Sequence, residues 1–86
     1  MATRILKLSD GHVSLEFQEE DIPAIRTSVA ALFGEATQKQ FVMASDVGFG
    51  GENFTFQNEW NDPCLISGTA LGDEHLRRIH EYLGNK

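Results

Sequence analysis

The sequence predicts an α+β fold: an antiparallel sheet of about five strands in the order ββαβββα, with two amphipathic helices packed on one face. Apolar and polar residues alternate over 12–17 and 54–60, as in half-buried strands. Apolar residues recur at helical spacing over 22–33 and 73–83. With 86 residues, the chain is expected to form a single domain over 1–86.

The chain opens with a predicted hairpin. Residues 3–8 are rich in strand-forming residues, and Asp10-Gly11 is a strong hairpin-turn signal. Over 12–17, Val13, Leu15 and Phe17 share one face of the strand. This hairpin should therefore present one apolar face to the core.

The first helix is predicted around an apolar stripe that runs from Ile22 to Phe33, and its start is fixed only to within about two residues, because the residue before a proline resists helical angles. Acidic residues precede it, which suits the positive end of the helix dipole, and Pro23 is tolerated in a first turn. Gly34 is placed to end the helix. The apolar stripe consists of Ile22, Ile25, Val29, Leu32 and Phe33.

A third strand is predicted over 40–45, after a polar linker over 35–39. Residues 47–51 are glycine-rich and read as a hairpin loop that leads into the aromatic strand. Phe54, Phe56 and Trp60 share one parity of that strand, so Trp60 is predicted to be buried against the helices. A turn at 61–63 then leads into a last strand over 64–66.

The second helix is predicted to start at Asp73 as its N-cap, with Thr69 as an alternative earlier start. Leu76, Ile79 and Leu83 form its apolar stripe.

The charge pattern excludes several functions. The formal net charge is −6, with only seven Lys and Arg residues, which opposes binding to nucleic acid or to an anionic membrane. No apolar run approaches the ~18 residues of a membrane span. We expect no signal peptide, and the single cysteine, Cys64, excludes an internal disulfide. These features favour a cytoplasmic protein.

The candidate catalytic and metal-binding groups are sparse. Glu59 and Asp62 could act as acid and base or as ligands of a hard cation, but turn chemistry before Pro63 also explains them. Cys64 with His75 or His80 would be a thiol and a base, although Cys64 lies in an apolar run typical of a buried cysteine.

Two further patterns favour structural explanations. Gly48 to Gly51 could cradle an anion, but no helix is predicted after it, so a hairpin loop is the simpler explanation. Acids at 16 and 19–21 suit a helix start, and they would form an electronegative face only if the fold joined them to other acids. We predict no metal and no cofactor.

The function predicted from these features is a small acidic protein-binding module, such as an immunity- or antitoxin-type inhibitor of a basic partner protein. The lack of a nucleophile with a base and an orienting group favours binding over catalysis. The predicted partner-binding residues are Glu59, Asp62, Asp46, Glu52 and Asn61. The alternatives are a structural homo-oligomeric domain, with a homodimer as its simplest form, and a small enzyme using Cys64 or the Glu59/Asp62 pair.

Overall fold

A computed structural model describes residues 3–40, 44–59 and 62–84. A short 3-10 turn at Glu19–Asp21 leads directly into the first helix. The helices and strands, in chain order, are β1 (Arg4–Lys7), β2 (Val13–Glu16), α1 (Ile22–Phe33), β3 (Thr37–Gln40), β4 (Ala44–Phe49), β5 (Glu52–Glu59), β6 (Asp62–Ser67) and α2 (Ala70–Gly84).

The strands form one antiparallel sheet in the order β1-β2-β6-β5-β4-β3. The predicted α+β class is therefore confirmed, with six strands instead of about five. Strands β3 to β6 form a meander of sequence neighbours, and β2 joins it by pairing with β6. Neither α1 nor α2, the two helices of the described ranges, has the length and apolar character needed to cross a bilayer.

The additional strand lies where a polar linker was predicted. β3 has the sequence Thr-Gln-Lys-Gln and occupies an edge of the sheet. An edge strand pairs on one side only, and its polar sequence lacks the apolar alternation that identifies a half-buried strand. The single strand predicted over 40–45 thus spans the end of β3 and the start of β4, while residues 41–43 lie outside the described residues.

Most of the predicted glycine-rich loop belongs to β4. Gly48 lies inside that strand, where a Cβ would come within 2.6 Å of the Thr37 hydroxyl oxygen on β3. This close approach explains a glycine in a strand interior. The turn itself consists of Gly50 and Gly51, whose φ angles of 60° and 78° suit the tight hairpin turns that require positive φ.

Both helices pack on one face of the sheet, as predicted. α2 contacts β1, β2, β5 and β6, while α1 packs mainly on α2 and on the 3-10 turn. Trp60, predicted to be buried beside Phe54 and Phe56, lies outside the described residues; Phe54 is buried and Phe56 is only partly so. The most fully buried apolar side chains are Val13, Leu15, Phe54, Leu76 and Ile79.

The second helix begins earlier than the predicted N-cap at Asp73. α2 starts at Ala70, and the Thr69 hydroxyl accepts a hydrogen bond from the backbone N–H of Gly72 at 2.9 Å. Thr69 therefore caps the helix, as the alternative start proposed. Asp73 lies in the first turn, where its carboxylate is free to bind the N-terminal hairpin.

Candidate functional site

The face of the sheet opposite the helices, the outer face, has no covering layer among the described elements. Strand register aligns five side chains in one row across it, from β1 to β4. The row contains Leu6, Ser14, Ile66, Thr55 and Asp46. Leu6 is 44% exposed, and Ile66 is half-buried, so the row offers both apolar and polar groups to a partner.

Carboxylates gather at one end of this sheet, which we call the acidic end. The chain leaving β2 runs beside the start of β6, where the N–H of Phe17 donates to the carbonyl of Pro63 at 3.2 Å. The Asn58 amide at the end of β5 donates to Glu19 at 3.1 Å. These contacts bring the 3-10 turn next to the β5–β6 connection. The described carboxylates of the acidic end are Glu16, Glu19, Glu20, Asp21 and Asp62.

A basic residue, Arg4, contacts the acidic end. Its guanidinium donates to the carboxylate of Glu16 at 2.6 Å, and the pKa of Arg4 is raised by this hydrogen bond and by the charges of Glu16 and Asp62. In the part of the chain that the structure describes, Glu19, Glu20 and Asp62 have no ion pair. The acidic end therefore keeps most of its negative charge.

The predicted partner-binding residues of the described ranges lie at three separate places on the sheet. Glu59 and Asp62 are directly paired across the β5–β6 connection, at the acidic end. Asp46 lies on β4, next to the β3 edge of the sheet, and its register partners are Thr55 of β5 and Lys39 of β3. Asn61 lies outside the described residues.

Glu52 lies far from Glu59 and Asp62. It begins β5 at the opposite end of the strand from Glu59, and its carboxylate accepts a hydrogen bond from the Thr69 hydroxyl at the start of α2. Its role within the fold is to connect β5 to a helix. The predicted acids therefore do not share one rim.

Cys64 is separated from His75, one of the two histidines predicted as its possible base. Its register beside Glu16 and Gln57 directs its side chain to the outer face, whereas His75 packs on Phe33 on the helix side. Burial, followed by the charges of Glu16 and Asp62, raises the pKa of the Cys64 thiol above its ordinary value, against the opposing effect of a hydrogen bond with Ser14. This environment disfavours the thiolate that a nucleophile requires.

A histidine–carboxylate pair joins the first hairpin to the second helix. His12 Nδ1 lies 3.0 Å from one carboxylate oxygen of Asp73, and the other oxygen accepts a hydrogen bond from the N–H of Val13 at 3.0 Å. The two residues are far apart in the sequence, and no local pattern in the sequence predicts their contact. Because Asp73 satisfies a buried backbone donor of β2, the pair fastens the hairpin to α2.

The pKa values of the two groups shift in opposite directions. The hydrogen bond with Asp73 raises the pKa of His12, and burial opposes this effect. Burial acts to raise the pKa of Asp73, but hydrogen bonds from His12, from the N–H of Val13 and from Ser67 outweigh it and lower the pKa. Each shift favours the charged form of its group.

This pair should make stability depend on pH. The contribution of His12 is complete below its unfolded pKa of about 6.5 and is lost as the pH rises through its raised folded pKa. The contribution of Asp73 is complete above about pH 3.9 and is lost as the pH falls through its lowered pKa. His12→Ala should therefore destabilise the protein more at pH 5.5 than at pH 8.5, as measured by urea unfolding at both values. As a control, His12→Ala in an Asp73→Asn background should lower the stability by nearly the same amount at both pH values. If His12→Ala in the wild-type background also lowers the free energy of unfolding equally at both pH values, the pairing is contradicted.

Among the residues at 3–40, 44–59 and 62–84, no group of three or more His, Cys, Asp or Glu side chains is arranged to hold a metal ion. Compared with known proteins, the chain matches no family model, and neither a similar curated protein nor a similar solved structure was found.

Proposed function

We propose that this chain is a binding module for a protein with a basic surface, which docks on the outer face and the acidic end together. The observation that supports this proposal is the concentration of carboxylates at the acidic end, beside an uncovered sheet face. One Arg pairs with Glu16 there, and the other carboxylates of the acidic end form no ion pair within the described part of the chain. A negative field at a docking edge attracts a positively charged protein.

The neighbouring outer face supplies the apolar contact surface that charged groups alone do not provide. Protein interfaces combine a desolvated apolar centre with a polar rim. Leu6 and Ile66 provide apolar surface on the row across the sheet, while Thr55 and Asp46 continue that row with polar groups. The acidic end then acts as the charged rim that accelerates and orients encounter.

An inhibitor of the immunity or antitoxin type is the class of protein that this surface suits. Such a protein acts by occupying a basic surface on its target, and it needs no catalytic group of its own. Fast electrostatic association also makes its binding sensitive to salt. The raised thiol pKa of Cys64 and the separation of Cys64 from His75 are consistent with binding as the activity.

The proposal is tested by making the same change of charge at two separate places on the surface, each in its own double variant. Glu20→Lys/Asp62→Lys reverses two exposed carboxylates of the acidic end, and Glu74→Lys/Glu81→Lys reverses two exposed carboxylates of α2. Both double variants carry the same net charge. Each variant and the wild type would be used to capture partners from native lysate, and the retained basic protein would then be measured for its association rate at several salt concentrations.

The acidic-end variant should associate roughly tenfold or more slowly at low salt, with a flatter salt dependence, while the α2 variant should retain most of the wild-type rate. Circular dichroism should show that both remain folded. Equal effects of the two double variants would contradict docking at the acidic end. A concentration-dependent homodimer with no basic partner would instead support the homo-oligomeric alternative.

A further inference from the structure

A cavity of about 270 Å³ lies between α1 and the half of the sheet formed by β3 to β6. From the helix, Ile25 and Val29 line it, and from the sheet, Val47, Phe56 and Leu65 do so. This cavity lies on the helix side of the sheet. It is therefore separate from the outer face, whereas Phe17 and Ile22 in its lining adjoin the acidic end.

The cavity exists because the two helices cover the sheet unequally. α2 packs closely on β1, β2, β5 and β6, whereas α1 packs mainly on α2 and the 3-10 turn. Val47 and Phe56 point to the helix side, yet both remain only partly buried. Partly exposed apolar surface in a concave site favours an apolar ligand, since binding removes that surface from water.

Among the described residues that line the cavity, one is basic and one is acidic. Arg26 lines the cavity from the second turn of α1 and is exposed, with no ion pair among the described side chains. Glu35 lies beyond Phe33, the last residue of α1, and the helical rise from Arg26 to Phe33 alone is roughly 10 Å at 1.5 Å per residue. A ligand can therefore place an anionic group beside Arg26 without meeting Glu35.

We infer that this cavity binds a medium-chain fatty acid, with its chain against Val47 and Phe56 and its carboxylate beside Arg26. An apolar cavity of about 150 Å³ holds a benzene molecule, so 270 Å³ admits an acyl chain of roughly eight to ten carbons. Arginine pairs well with a carboxylate because its guanidinium donates two parallel hydrogen bonds. The site combines a mainly apolar lining with a few polar groups, as ligand pockets usually do.

The test is a calorimetric titration of the full chain with decanoate below its micellar concentration, followed by decanol and butyrate. Decanoate should bind with one-to-one stoichiometry and decanol at least tenfold more weakly, and butyrate should not bind. Arg26→Gln should weaken decanoate binding about tenfold while leaving decanol binding unchanged. The control Arg77→Gln, at an exposed position on α2, should change neither.

A second variant, Val47→Phe, narrows the cavity and should abolish binding of both long-chain ligands while far-ultraviolet circular dichroism stays that of the wild type. If this variant does not fold, the comparison of Arg26→Gln with Arg77→Gln still decides. No saturable decanoate binding by the wild type, or equal decanoate affinity in those two variants, would overturn the proposal.

Discussion

Phe54→Ala should lower the free energy of unfolding by about 3–5 kcal/mol, the usual cost of removing a large buried aromatic side chain. The ring is 2% exposed and stacks on Phe49 with ring centroids 4.1 Å apart. It also lies against His75 on α2, with centroids 6.4 Å apart. Its loss would open a cavity where β4, β5 and α2 meet. Urea denaturation at neutral pH measures the difference, which would be a large part of the about 5–15 kcal/mol typical of a small domain.

Phe56→Ala is the matched control for this prediction, because Phe56 lies two residues further along β5 and faces the same side of the sheet. Phe56 is only partly buried and lines the cavity beneath α1. Its replacement removes fewer close contacts and should destabilise clearly less than Phe54→Ala. A loss equal to or greater than that of Phe54→Ala would show that Phe56 is tightly packed and that no cavity adjoins it.

Gly50→Ala should also be strongly destabilising, by about 2–5 kcal/mol, from backbone strain together with overpacking. Gly50 has a φ of 60°, and a Cβ at this position would lie 2.5 Å from Nε2 of His75 and 3.0 Å from Phe33. The same imidazole nitrogen donates a hydrogen bond to the Gly50 carbonyl at 2.9 Å. The added methyl group would displace the ring and weaken this bond between the turn and α2.

Gly51→Ala separates the effect of backbone strain on stability from the effect of overpacking. Gly51 also has a positive φ, of 78°, but a Cβ there would meet no atom within 4 Å. Its substitution should therefore cost only the backbone strain, about 1–2 kcal/mol. Thermal or urea unfolding of both variants gives the comparison. Equal losses would mean that His75 does not pack against the turn as described.

The local elements could be predicted from the sequence because each depends on neighbouring residues. The stripe from Ile22 to Phe33, the turn at Asp10-Gly11 and the alternation around Phe54 all have short-range signals. β3 lacked such a signal, since an edge strand with four polar residues resembles a linker. Gly48 was misleading for a related reason, because its role in β4 depends on the approach of Thr37 from the adjacent strand.

The candidate sites depend on long-range contacts, and the sequence showed them only in part. Asp62 was identified from its turn, but its proximity to Glu19 and Glu20 follows from the pairing of β2 with β6. That pairing joins segments with no shared pattern. The contact of His12 with Asp73 and the cavity beneath α1 likewise arise from how α1 and α2 pack, which depends on side-chain shape more than on periodicity.

The order of strands in the sheet also bears on how the chain folds. β3 to β6 are joined by short connections, and each pairs with its sequence neighbour, so this meander can form by closing small loops. The contact of β2 with β6 instead joins Ser14 to Ile66, which are about fifty residues apart in the sequence. Closing so long a loop costs more entropy than closing the short loops of the meander. The first hairpin should therefore dock after the meander. The acidic end, which requires both segments, would be assembled only in that last step.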